Sequence, residues 1–273
     1  MLTERQTFRF HKTIQSTFSL VLLSLISIAS AFASEDADVP VHDDRTDNNH
    51  VSVVCPFKED IDYKPERVRC GMISVPENRD NPDSRMIRLT YTRIIASARH
   101  PDEDADDSSD NDEELVVRED PVIYLTGGPG VSIEPYVKRF LKHDLTKTRD
   151  LYILNQRGIG VSGEFCPFFS KTSRENVLAA NLVEQEKEDA ERMQACFAAA
   201  KANGVDVTAY NTYENARDVK SLRQALGFGN WNVWGISYGS HLGQMLTQVD
   251  PDGIRALILD AIVPNDLGDL MRI

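Results

Sequence analysis

The sequence is poor in the residues that metal and nucleic-acid sites need. Its 273 residues hold four cysteines and no CxxC pair, which disfavours zinc. Lysine and arginine number 30 against 43 aspartates and glutamates, and the net charge of −13 lacks the basic footprint that phosphate binding requires. No nucleic-acid partner is expected. The long apolar run, Phe18 to Phe32, is interrupted by serines and falls short of the roughly 20 residues that span a bilayer. Histidine is scarce as well, with six in all. What remains is ordinary globular composition, 41% hydrophobic and 27% charged, enough to bury the core of one domain.

Residues 1–33 read as a cleavable signal peptide. Arg5, Arg9 and Lys12 precede the apolar run, which ends in the small-residue pattern Ala31-Phe32-Ala33. An uncleaved anchor is the alternative; the short run argues against it, and no stable membrane insertion is expected after cleavage. The segment carries three basic residues and one acidic, so its removal takes the net charge from −13 to −15. In an oxidising compartment an even number of cysteines suits disulfides. Three connectivities are possible, and four free thiols is the alternative. Proximity favours Cys55 with Cys70 and Cys166 with Cys196, the first closing a loop worth about 3 kcal/mol in the chain-entropy model.

Residues 34–50 are polar, acidic and without periodicity, and order is expected from near Val51. Ile87 to Ile95 alternates apolar and polar residues, which predicts a half-exposed strand. Residues 101–114 hold nine carboxylates and read as a solvated loop insertion. A calcium loop is the sharper alternative, but the glycine and terminal glutamate it needs are missing. From Pro121 onward, short apolar runs at Val122–Leu125 and Leu151–Leu154 suit buried parallel strands. Thr172 with Glu175 forms a capping box for a helix running to about Asn203. Thr212 is the expected cap of a second helix, whose Ala216, Val219, Leu222 and Leu226 share one face and which Gly227 ends. Trp231–Gly235, Tyr238–Val249 and Ala256–Leu259 then read as strand, helix and strand. Such alternation predicts an α/β fold with a mostly parallel sheet flanked by helices, its site at the carboxyl ends of the strands.

Three motifs fall at those strand ends. Gly235-Ile236-Ser237-Tyr238-Gly239 has the form of a nucleophile elbow, in which the serine stands on a tight strand-to-helix turn and the next N–H, that of Tyr238, faces a developing oxyanion. Thr126-Gly127-Gly128-Pro129-Gly130 offers a second donor, the N–H of Gly128, with Gly127 and Pro129 shaping the loop. Its alternative is a plain glycine-rich turn. Asn155-Gln156-Arg157-Gly158-Ile159-Gly160-Val161-Ser162 is a third turn, where Arg157 reads as a buried or paired structural arginine near the site.

Together these motifs resemble the proline iminopeptidase and tripeptidyl aminopeptidase family of serine α/β-hydrolases, whose members carry a GGPG loop, a DxRGxGxS turn and a GxSYG elbow. Cys70 to Asn78 resembles that family's entry strand, and Cys166 and Cys196 stand where its secreted tripeptidyl branch has cysteines. The resemblance covers roughly Val51 to Pro264. Thr126 replaces the usual histidine and Asn155 the usual aspartate, departures that bear on specificity more than on reaction class. The resemblance implies a catalytic Ser237 that forms an acyl-enzyme with a peptide substrate near its free N-terminus, and it implies no cofactor. Esterase or lipase chemistry on the same fold, and a silent binding protein, are the rival readings.

In this fold the acid and base follow the serine, and 36 residues follow Ser237. The catalytic acid and base and the last strands are therefore expected beyond residue 273, and the family resemblance implies an amine-reading cap following Pro264. His11 lies in the signal segment, and His42, His50 and His100 lie in or beside acidic stretches. His241 sits inside the helix after the elbow, and His143 reads as a surface residue near a helix end. Asp260 reads as a chain-turning residue.

Overall fold

The two uninterrupted apolar runs occupy the middle of one seven-stranded sheet. The computed structural model describes residues 50–57, 66–99, 115–131, 133–163 and 182–265. Its strands are β1 (His50–Val53), β2 (Val68–Pro76), β3 (Met86–Ile94), β4 (Arg118–Leu125), β5 (Arg149–Leu154), β6 (Trp231–Ile236) and β7 (Ile254–Asp260). In space they run β1-β2-β3-β5-β4-β6-β7. β5, β4, β6 and β7 pair in parallel, and β1 to β3 extend the sheet antiparallel from β5. Five strands, β2 and β4 to β7, therefore share one direction, as the alternation of strands and helices predicts. The helices are α1 (Glu134–Phe140), α2 (Leu145–Thr148), α3 (Leu182–Ala202), α4 (Thr212–Ala225) and α5 (Tyr238–Val249). The signal segment, the acidic stretch before His50, the acidic loop 101–114, the Thr172–Glu175 box and Cys166 lie outside the described residues.

β4 shows why its run lacks polar alternation. Ile123 and Leu125 pack with Tyr152, Leu154 and Val233 beneath Ala216, Val219 and Leu222 of α4 and Leu242 and Leu246 of α5. Val122 and Tyr124 face the other way with Leu151 and Ile153, against Val137 and Phe140 of α1. A strand covered on both faces has no solvent side for polar residues. Tyr124 lies at the centre of an aromatic cluster, its ring 4.7 Å from that of Phe140 and 5.3 Å from that of Trp234.

Two expectations are corrected here. β3 is not half exposed: Leu89, Thr90, Tyr91 and Thr92 are all buried. Its threonines tolerate burial because they are hydrogen-bonded. Thr90 Oγ1 accepts from Asn155 Nδ2 at 2.9 Å while its N–H donates to Ser162 Oγ at 3.0 Å, and Thr92 Oγ1 lies 3.5 Å from Cys70 Sγ. The α4 cap is Asn211 rather than Thr212, its side chain accepting the Glu214 N–H at 2.9 Å. Gly227, at φ 73°, ends α4 as expected.

Cys55 and Cys70 form a disulfide that staples the chain after β1 to β2. Cys196 is disulfide-bonded as well. β7 lies at the end of the sheet with Ile258 59% exposed. Beside it, an open apolar groove of about 520 Å³ is lined by Trp234, Ile258 and Leu259 and rimmed by His143 and Asp260. Among the described residues no helix is long and apolar enough to cross a membrane.

Candidate active site

The elbow is set by two glycines and one strained serine. Ser237 joins β6 to α5 with φ 54° and ψ −123°, a conformation that a side chain rarely accepts. A Cβ on Gly235 would run into the carbonyl of Gly239, and one on Gly239 into the carbonyl of Leu125. The turn closes only because both positions are bare.

The turn is also held from outside. Ser237 N–H donates to the Asp260 carbonyl at 2.9 Å, tying the elbow to the end of β7. Ser240 Oγ donates to the Ser237 carbonyl at 2.6 Å and accepts the Val263 N–H at 2.8 Å. Gln244 Nε2 adds a bond to the Val263 carbonyl at 2.8 Å. Asp260, the expected chain-turning residue, thus also holds the elbow through its backbone carbonyl. Ser240 and Gln244 fall one and two helical turns along α5, and nothing in their spacing marks them as anchors.

The GGPG loop reaches the serine directly. A Cβ on Gly127 would stand 3.1 Å from Ser237 Cβ and 3.5 Å from its Oγ. Gly128, at φ 108°, precedes Pro129 through a cis peptide, and Gly130 has φ 98°. The structure therefore brings Gly127 against Ser237. Tyr238 begins α5, where its N–H is one of the first-turn donors without a helical partner. Its hydroxyl donates to Thr212 Oγ1 at 3.2 Å and accepts from Asn215 Nδ2 at 3.3 Å, linking the elbow to the start of α4.

Arg157 is the buried, paired residue that the sequence suggests. Its side chain has no exposed surface, and neither has that of Asp218. Arg157 Nε and Nη2 donate to the two Asp218 oxygens at 2.7 and 2.8 Å, and Nη1 donates to the carbonyls of Ala209 and Glu77. Arg79 Nη2 reaches Asp218 at 2.7 Å from the other side. Burial pushes the Asp218 carboxyl up from its ordinary value, against the pull of both guanidiniums. This network joins the turn after β5 to α4 and to the end of β2.

His50, His143 and His241 are the described histidines, and none hydrogen-bonds the Ser237 hydroxyl. His50 Nδ1 donates to the Ala225 carbonyl at 3.2 Å, and His241 Nδ1 is buried without a partner. His143 departs from its surface reading. It is half-buried, its ring packs 5.5 Å from Phe140 and 5.8 Å from Trp234, and its Nδ1 accepts the Leu145 N–H at 3.1 Å. The tight Phe140–Leu145 connection turns it inward. Among the described residues no cluster of histidine, cysteine and carboxylate groups could hold a metal.

A parallel sheet with a strained serine at the strand-to-helix turn beside a glycine loop defines a class. Residues 120–273 match the family described as the alpha/beta hydrolase fold, and the chain belongs to that family. It is 26% identical over 211 residues to a tripeptidyl aminopeptidase of Streptomyces lividans, covering 73% of this chain and 36% of that protein. It is 28% identical over 142 residues to a proline iminopeptidase of Neisseria meningitidis, covering 52% of this chain and 32% of that protein. With the serine protease Hip1 of Mycobacterium bovis it shares 26% identity over 211 residues, covering 74% of this chain and 37% of that one. The aligned region thus spans about a third of the length of these relatives.

Proposed function

We propose that this chain carries the nucleophile and oxyanion donors of an exported serine peptidase of the aminopeptidase type. The observation that carries the reading is the placement of the strained Ser237 against the bare Gly127. Ser237 Oγ bonds to the substrate carbonyl carbon while a general base takes its proton. The N–H groups of Gly128 and Tyr238 receive the negative oxygen. Collapse breaks the peptide bond, the departing amine takes a proton, and water hydrolyses the acyl-enzyme. The peptidase names of the three relatives support a peptide substrate, and the family resemblance of the motifs supports cleavage near a free N-terminus. Residues 1–33, as a signal peptide, and the Cys55–Cys70 disulfide support export to the periplasm, the cell surface or the medium.

The test is labelling of the full-length protein, with the segment that supplies the acid and base, by a serine-directed phosphonate mapped by mass spectrometry, with tripeptide anilides as substrates. Labelling at Ser237 and preference for a free over an acetylated N-terminus are expected. Equal cleavage of the acetylated peptide assigns the site to an esterase or to another hydrolase on this fold. Absence of labelling assigns the chain to a non-catalytic binding role.

A further inference from the structure

The turn after β5 reaches the glycine loop through one side chain. Gln156 is 5% exposed, and its Nε2 lies 3.2 Å from both the carbonyl oxygen and the Oγ1 of Thr126. A carbonyl oxygen only accepts, so the Gln156 amide must turn its NH2 toward Thr126. That orientation leaves Gln156 Oε1 buried with no partner. The side chain gives up a bond to its own acceptor and keeps two on Thr126.

Thr126 is where β4 passes into the GGPG loop. Its carbonyl also lies against α5, since a Cβ on Gly239 would come within 2.9 Å of it. The peptide between Thr126 and Gly127 is thus held between Gln156 and the elbow. A peptide unit is planar, so fixing its carbonyl fixes the direction of the Gly127 N–H and the origin from which the loop continues. Gly127 and Gly128 follow with no side chains to restrict them, and Gly128 already uses a positive φ. Without an anchor at Thr126, rotation of these peptides would swing the Gly128 N–H off the oxyanion position. The Tyr238 N–H needs no such device, because it belongs to a regular helix.

Resting on the reading of Ser237 as a nucleophile, we propose that Gln156 is a positioning residue of the oxyanion hole: by holding the Thr126 carbonyl it aims the Gly128 N–H. Its side-chain hydrogen bonds go to Thr126 and not to Ser237.

The experiment compares the unsubstituted full-length protein with its Gln156→Met variant, which keeps the volume and removes the donor, and with its Gln156→Glu and Ser237→Ala variants. For Gln156→Met, kcat on a free-amine tripeptide anilide falls roughly 10- to 100-fold, as expected of a small displacement at the reacting centre. KM stays unchanged, and affinity for a peptide boronate that mimics the tetrahedral adduct falls by the same factor as kcat. Gln156→Glu is impaired at neutral pH as a carboxylate. Relative to the unsubstituted protein it recovers as acid restores its O–H donor, while the Gln156→Met ratio stays flat. A Gln156→Met variant with unchanged kcat, or with a raised KM and unaltered boronate affinity, overturns the proposal while Ser237 keeps its role. If Ser237 is not labelled and Ser237→Ala changes nothing, the reading and the proposal fall together.

Discussion

Gly239 and Leu125 share a space that admits no Cβ: the first turn of α5 lies directly on the last carbonyl of β4. The contact is backbone on backbone, so no side-chain rotation relieves it. Gly239→Ala must push α5 away from the sheet and take Tyr238 with it. Overpacking of this kind costs about 3 kcal/mol or more when backbone has to move. Urea unfolding of the variant is expected to show that loss, and phosphonate labelling of Ser237 is expected to drop with it.

Ser237 itself stores strain. At φ 54° and ψ −123° it occupies a region that glycine enters freely and serine does not. Residues held in this way cost on the order of 1–3 kcal/mol, and they persist where function needs the side chain. Ser237→Gly should therefore raise the unfolding free energy by about 1 kcal/mol, after the extra chain entropy of glycine is set against the relieved strain. The same variant should lose all phosphonate labelling. A Ser237→Gly protein less stable than the unsubstituted one would show that the turn is unstrained.

How much of this was legible in the sequence depends on how local each cause is. The bounds Tyr238–Val249 and the stop at Gly227 agree with the structure because the causes, an apolar face and a left-handed glycine, lie within the element. The elbow, the GGPG loop and Arg157 were legible for the same reason, as short motifs at strand ends. Burial of Thr90 and Thr92 was not, since their partners Ser162 and Cys70 are 72 and 22 residues away. Gln156 carries no signal of its own: its partner Thr126 is 30 residues distant, and glutamine in a turn looks solvated. His143 was misread because a helix end is surface by default, and only the packing of Phe140 and Trp234 says otherwise.

Arg157 and Asp218 form a pair with no exposed side-chain surface at either partner. Removing one partner leaves the other charge without compensation, which costs more than the pair contributes. Asp218→Ala leaves Arg157 with Glu214 at 3.5 Å, and a loss of about 3–5 kcal/mol is expected. Arg157→Lys keeps the charge but cannot address Asp218, Ala209 and Glu77 at once, because an ammonium lacks the planar fork. It should lose about 3 kcal/mol, the scale of two hydrogen bonds to a charged group. Chemical denaturation of both variants checks this; an Arg157→Lys protein as stable as the original would remove the argument from fork geometry.

Glu77, at 2% exposure, gives the fold a pH dependence of known sign. Burial by itself would raise its carboxyl. The Arg85 guanidinium, the Asp206 N–H and the Tyr210 hydroxyl outweigh burial and hold it below its ordinary value of 4.5. A carboxyl with a depressed folded-state value binds protons less readily in the native than in the unfolded chain. Its stabilisation is therefore complete above about pH 4.5 and is lost as pH falls through the lower folded value. Glu77→Gln should cost about 1–2 kcal/mol at neutral pH, the lower part of the range for a charged hydrogen-bond network, because Arg85 is 43% exposed and water takes over its share. The gap between variant and original should close below the folded-state value as both side chains become neutral. Tyr210, pushed up to about 12 by burial and then by its bond to Glu77, should titrate lower in the variant. Denaturation curves across acid pH and an alkaline spectrophotometric titration read the two effects separately. A gap that stays constant down to acid pH would show that Glu77 acts through its shape and not through its charge.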